Sequence, residues 1–352
     1  MRFALPERWS VQRIVQILLG ALLLFVVFKG ASATISDGKF SAAAWKSLIT
    51  TGLALGSLYA LIAMGYTLVY GILFIINFAH GEVFMSGAFT AFFVARTLNN
   101  SGFLNDQPII SIAILLLVSM IVSTTIAILL ERIAYRPLRG APRLVPLITA
   151  IGASLFLQNT FRGLYGAKVR AYPEIDLLSG TVNIFTFVVG KDQLLVIAGT
   201  ALLVVALYFF IERTKTGRAM RAVGEDKEIS ALMGIDVDKV IVTTFAIGGM
   251  LAGAAGVLWA IHFKQVDFFM GFLPGIKAFT AAVLGGIGNV VGAALGGLIL
   301  GLLEAVAPAL LLTGYDVPSP NQLKDVISFS VLVFVLIFKP GGILGSDEAE
   351  KV

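Results

Sequence analysis

The stretch Glu212–Lys239, ERTKTGRAMRAVGEDKEISALMGIDVDK, is the one long polar interruption in an otherwise apolar chain. It separates the apolar spans Gln193–Ile211 and Val240–His262. A charged segment of helix-forming residues between two such spans has to lie in water. Arg213, Lys215, Arg218, Arg221, Lys227 and Lys239 assign it to the cytoplasmic side under the positive-inside rule. The chain has no G-x-x-x-x-G-K-[ST] phosphate loop. A membrane protein with a structured cytoplasmic segment and no nucleotide site of its own points to being driven by another protein.

Composition supports the membrane reading. Hydrophobic residues make up 58% of the chain and charged residues 13%, against about 45–50% and about 25% in a soluble domain. Mean hydropathy is +0.93. The 37 glycines suit membrane helices packed backbone to backbone. The net charge of +5 needs no nucleic acid, because basic loops held against anionic lipid account for it. With no cysteine and only His80 and His262, disulfides, thiolate metal sites and a histidine-rich metal site are excluded. No nucleophile–base–acid set is found, so no catalytic residue is assigned.

Ten apolar spans can be read at roughly the length a bilayer requires. They are Ile14–Phe28, Ser47–Val69, Glu82–Leu98, Ile109–Leu130, Leu144–Arg162, Gln193–Ile211, Val240–His262, Ile276–Ile287, Val290–Leu312 and Val326–Phe338. This predicts an all-α polytopic membrane protein of nine or ten membrane-spanning or membrane-embedded helices in one unit, residues 1–352, with a core over 47–338. The first span ends in an Ala31–Ser32–Ala33 tail that fits a cleaved signal peptide. An uncleaved helix with Arg2, Arg8 and Arg13 inside is the reading preferred. The loop Glu131–Arg143, with Arg132, Arg136, Arg139 and Arg143, falls on the same side as the long polar segment. Gly163–Asp192 then falls outside, and KPGGILGSDEAEKV returns inside.

Two stretches interrupt the apolar text. Gly71–Gly81 (GILFIINFAHG) carries Asn77 and His80, and Gly285–Asn289 (GGIGN) follows an apolar run too short to span comfortably. Each reads either as a break within the membrane, tolerated where protein or a watery cavity surrounds it, or as a tight turn near the surface. Gly52–Phe89 and Gly248–Leu298 each carry a Gly-rich span, a polar break and a second small-residue helix. That is a loose internal match, of the kind seen as inverted repeats in transporters.

Several polar words stand in order within this apolar text. They are GSLYALIAMGYTLVYGILFIINFAHGEVFMSGAF (Gly56–Phe89), LITAIGASLFLQN (Leu147–Asn159), TGRAMRAVGEDKEISALMGIDVDKVIVTTFAIGGMLAGAAGVL (Thr216–Leu258) and IKAFTAAVLGGIGNVVGAALGGLILGLLEA (Ile276–Ala305). Together they resemble the permease subunits of ABC importers for branched-chain amino acids, from about Ser47 to the C-terminus. The resemblance implies the helical permease fold shared with ribose-type sugar importers. It implies a second related permease subunit, two ATPase subunits beneath, and an extracytoplasmic substrate-binding protein. The chain itself would hold no cofactor, ATP being bound by the partner subunits. The place implied is the inner membrane of a prokaryote, with many crossings and both termini cytoplasmic.

Under that resemblance Gly217–Gly234 is the ATPase-coupling element, with Gly217, Arg218, Arg221, Gly224, Glu225, Met233 and Gly234 as its marked residues. Ala219, Met220, Ala222, Val223, Ile229, Leu232 and Met233 would supply apolar contacts, and Gly224 and Gly234 would end helical pieces. The bland alternative is an amphipathic loop resting on headgroups.

The candidate substrate pathway is Asn77, His80, Gly81, Glu82 and Glu304. A helix starting near His80 would aim free N–H groups at an amino-acid carboxylate, with Glu82 facing the ammonium. Alternatively Asn77 or His80 is simply a helix cap. Glu304 could line the path or pair with a basic residue from another helix. Lys277 reads as an interfacial anchor, and Gln158 and Asn159 as interhelical hydrogen bonds. The glycine rows at 248–256 and 292–297 read as packing surfaces. The rival functions are a urea or short-amide importer of the same type, and a stand-alone secondary transporter or channel.

Overall fold

The computed structural model describes residues 11–142 and 144–345. Arg2, Arg8, Arg143 and residues 346–352 lie outside them. In chain order come α1 (Val11–Ser36), α2 (Ala42–Leu73), α3 (His80–Asn100), the short α4 (Phe103–Asp106), α5 (Pro108–Leu130) and α6 (Leu144–Tyr165). After α6 lie β1 (Arg170–Ala171) and a hairpin of β2 (Thr181–Ile184) and β3 (Phe187–Gly190). There follow α7 (Lys191–Arg213), α8 (Lys215–Glu225), α9 (Lys227–Leu232), α10 (Val237–Phe263), β4 (Gln265–Val266), α11 (Phe272–Gly285), α12 (Val290–Ala307) and α13 (Lys324–Phe338).

Eight of these helical stretches are long and apolar enough to cross a membrane. With α3 and α11 added, the ten expected spans are all helices. α1 runs on to Ser36, eight residues past the expected Phe28, so only residues 37–41 separate it from α2. Gly30 is pressed onto α12's continuation, where an added Cβ would stand 2.6 Å from Leu311 O. α11 has 14 residues, about 21 Å at 1.5 Å per residue, which is short of the roughly 30 Å hydrocarbon core.

Apolarity alone does not say which helices form the centre. Of the apolar windows in α2 and α10, 78% and 72% are buried, against 17% in the more hydrophobic α7 and 6% in α13. Side chains facing lipid are as apolar as those facing the core, so burial here follows packing partners. Those partners are small. A Cβ on Gly56 would meet Leu298 Cα at 2.8 Å, and Gly301 lies against Gly56. Gly249 and Gly253 press on Ser123 and Ser119 of α5, and Ser119 Oγ donates to Gly253 O at 2.7 Å. The glycine rows are packing surfaces, as their composition suggested.

The internal match is realised as an inverted arrangement. α2 lies antiparallel along α12, and α10 lies antiparallel along α5. α3 packs on α5 and α10, as α11 packs on α12 and α2. The triplets α2–α3–α5 and α10–α11–α12 thus exchange places. α2 and α10 are themselves antiparallel, with Tyr59 beside Trp259 and Gly65 beside Gly248.

The bundle has two distinct ends. One carries Arg132, Arg136, Arg139, α8 and α9, tied to the start of α10 by ion pairs from Arg136 and Arg139 to Asp238. The other carries the β2–β3 hairpin and the antiparallel pairing of β1 with β4.

Candidate functional site

The stretch after α2 turns at the basic end. Phe74 closes α2 in the left-handed region at φ 56 and is 54% exposed. From Asn77 to Glu82 only Phe78 escapes burial. Neither Asn77 nor His80 caps α3, contrary to one expectation. The N-cap is Ala79, without a side-chain bond. Asn77 is engaged elsewhere, accepting at Oδ1 from Tyr135 OH at 2.7 Å, while the His80 ring stands edge-on to Tyr66 at 4.8 Å. α3 crosses α11 at glycines: a Cβ on Gly81 would collide with Gly271 O and lie 3.2 Å from Gly275 Cα. No side chain fits between these backbones.

Glu82, in the first turn of α3, is fully buried. Its Oε1 accepts from Gln158 Nε2 at 2.7 Å and Ser154 Oγ at 3.2 Å, both on α6. Its Oε2 has no hydrogen-bond partner among the described residues, and neither has His80 Nε2. Gln158 therefore makes the interhelical bond expected of it. Asn159 does not: it is exposed and donates to Leu155 O of its own helix. Ser154 was not singled out beforehand, although its i, i+4 spacing with Gln158 puts both polar groups on one helix face. Beside this group is a cavity of about 90 Å³ lined by Tyr66, Phe78, Ser154, Leu155, Phe272 and Ile276, among others.

Glu304 does not join this group. It lies in a second polar cluster between α2, α11, α12 and α13. Its Oε1 is 2.6 Å from Lys277 Nζ, and its Oε2 accepts from Tyr59 OH at 2.9 Å and Ser328 Oγ at 3.2 Å. Lys277 is 4% exposed, so it is no interfacial anchor. α11 starts at Phe272 rather than Ile276, which places Lys277 one turn inside the helix, facing α12.

The long polar segment folds as two helices. Thr214 caps α8, accepting from Gly217 N at 3.0 Å, and Asp226 caps α9, accepting from Glu228 N and Ile229 N. Gly234 follows α9 with φ +82, as a helix-terminating glycine does. Gly224 does not end a helix; it lies inside α8, whose limit is set by the Asp226 cap. Its role is spatial, since a Cβ there would stand 2.9 Å from Gly71 O. Met220 and Val223 are buried against the bundle, so they are not free for a partner. Ile229, Leu232 and Met233 are free, at 59%, 86% and 78% exposure. Arg218 and Glu225 are exposed, and Arg221 pairs with Glu212 at 2.5 Å.

The architecture defines an all-helical, multi-pass membrane protein in which Asn77, His80 and Glu82 are buried, while Gly285–Asn289 is a turn with Gly288 exposed. The sequence matches the family model described as "Branched-chain amino acid transport system / permease component" over residues 48–336, and the chain belongs to that family. It is 45% identical over 307 residues to the high-affinity branched-chain amino acid transport system permease protein BraD of Pseudomonas aeruginosa, covering 86% of this chain and 97% of that one. It is 43% identical to the corresponding LivH protein of Escherichia coli, covering 86% and 96%. A more distant likeness, 31% over 144 residues, is to the fructose import permease protein FrcC of Rhizobium meliloti, covering 39% and 38%.

Proposed function

We propose that this chain is the membrane-spanning subunit of an ATP-driven importer for branched-chain or other neutral amino acids, with hydrolysis left to separate ATPase subunits. The observation that carries the reading is the α8–α9 unit. It is fastened to the bundle by Met220 and Val223 and presents Ile229, Leu232 and Met233 unpartnered, beside Arg218, Glu225 and Glu228. A solvated apolar face with a charged rim on a fixed helix pair suits a protein partner. The printed names of the bacterial relatives support the substrate class.

On this reading the basic end is cytoplasmic, both termini lie there, and the membrane is a prokaryotic inner membrane. A second related permease, two ATPases and an extracytoplasmic binding protein complete the assembly. The chain acts as one permease domain, residues 1–352, with 212–239 as its coupling part. ATP belongs to the partners, and no cofactor is assigned here. Glu82 would receive the substrate ammonium.

The reading is tested by reconstituting the chain with its ATPases and binding protein. Leu232→Asp should abolish ATPase co-purification and uptake while leaving the permease's unfolding temperature unchanged, because Leu232 touches solvent. Undiminished uptake and ATPase stimulation in that variant would refute it.

A further inference from the structure

The coupling segment and the break Gly71–Gly81 that leads into α3 are remote in sequence, yet two contacts join them, and a third ties the break to the loop that holds the start of α10. Gly224 of α8 rests on the last turn of α2 at Gly71 O. Lys227, the first residue of α9, holds its Nζ 5.9 Å from the centroid of the Phe74 ring, within cation–π range. Burial first, then the nearby Arg139 guanidinium, lowers the pKa of Lys227 from its ordinary value. Tyr135 donates to Asn77 from the same loop whose Arg136 and Arg139 grip Asp238.

Phe74 is an odd choice for its place. A left-handed helix end favours glycine, and a bulky residue there is strained. Its ring is more than half exposed, so core burial does not repay the strain. What the ring touches is Tyr70, at 6.0 Å, and the Lys227 ammonium.

We propose that Phe74 and Asn77 are positioning residues, and that Phe74–Ala79 is a strut carrying displacement of α8–α9 to the first turn of α3 and hence to Glu82. This rests on the coupling role proposed above. The strut has the connections it needs. His80 N donates to Asn77 O at 3.0 Å, and Glu82 N and Val83 N both donate to Ala79 O at 3.1 Å, so the start of α3 follows any movement of Asn77. Where α3 crosses α11, Gly81 lies backbone to backbone against Gly271 and Gly275, so a shift of the first turn of α3 is passed directly to α11.

The test uses the full complex in proteoliposomes and reads leucine uptake and binding-protein-stimulated ATP hydrolysis together. Phe74→Gly keeps the left-handed cap and removes the ring. Lys227→Gln removes the cation. Phe74→Gly should leave hydrolysis unchanged, and both variants should lower uptake per ATP by at least about fivefold, the low end of typical coupling, whereas Phe74→Tyr should retain both activities. Unchanged uptake per ATP in Phe74→Gly would overturn the strut while leaving the coupling role intact. Loss of hydrolysis together with loss of ATPase co-purification would also overturn it, by making Phe74 part of the docking surface. A wild-type complex that moves no amino acid would instead sink the proposed function.

Discussion

Lys277 Nζ lies 2.6 Å from Glu304 Oε1 and 2.6 Å from Asp325 Oδ1, so one buried ammonium is shared by two carboxylates on two other helices. Tyr59 and Ser328 supply the remaining bonds to Glu304. The cluster fastens the short α11 to α2, α12 and α13. Breaking a buried pair from one side leaves an uncompensated charge, which costs about 3–5 kcal/mol, whereas removing both charges is often nearly neutral. Lys277→Met should therefore destabilise the purified protein by roughly that amount. Lys277→Met with Glu304→Gln should recover the part of the loss that comes from Glu304, because the amide still accepts from Tyr59 and only the partly exposed Asp325 keeps an unpaired charge. Equal unfolding temperatures for the single and double variants would show that the pair is not coupled.

Glu82 makes a different prediction. Its carboxylate is buried with one oxygen satisfied twice and the other not at all. Glu82→Gln removes a charge without changing shape, so stability should hold or rise. If the group receives substrate ammonium, uptake should fall at least about tenfold, equivalent to about 1.4 kcal/mol. Full uptake by a folded Glu82→Gln protein would leave the residue a structural one.

The crossing of α2 and α12 has no room for a side chain. A Cβ on Gly56 would stand 2.8 Å from Leu298 Cα and 2.9 Å from Leu298 O. Gly56→Val must push the helices apart, and overpacking of this kind costs about 1–3 kcal/mol or more. Gly152→Val is the control, since nothing lies within 4 Å of its added Cβ. The first should lower the unfolding temperature by several degrees and the second should not. Similar behaviour of the two would mean that the glycine contact is unimportant.

The ion pair Lys39–Asp316, by contrast, is solvent-exposed at 2.8 Å. Exposed pairs contribute little, so Asp316→Asn should leave the unfolding temperature unmoved at physiological salt, unlike Lys277→Met. A large drop would mean that the α1–α12 connection depends on this charge.

Much of this was legible in the chain. Length of apolar text is a local property, and it located ten helices, although capping by Ser41 starts α2 at Ala42 rather than Ser47. The basic residues of Glu131–Arg143 and Glu212–Lys239 put two distant loops at one end, and Arg136 and Arg139 do meet Asp238 there. Gln158 was legible as an interhelical bond, because a lone amide inside a span has to find a partner. Lys277 was misread, because a lysine near the start of an apolar run looks the same whether it reaches water or a carboxylate on another helix. Tyr135 and Phe74 carried no signal of their own, and Ser154 only its i, i+4 spacing with Gln158. Their importance comes from Asn77, Glu82 and Lys227, which lie far away in sequence.

That the protein is a bundle of membrane helices, that its long polar segment leaves the membrane, and which family it belongs to all follow from the chain. Those features are written in residue type and spacing along the chain. Which helices are central, that Glu304 belongs with Lys277 and not with Glu82, and that the polar segment touches the break before α3 emerge only once the helices are packed. In lipid, core-facing and lipid-facing side chains are equally apolar. Position in the bundle is therefore set by where small residues let backbones meet and where buried polar groups find partners, and neither can be read from one segment alone.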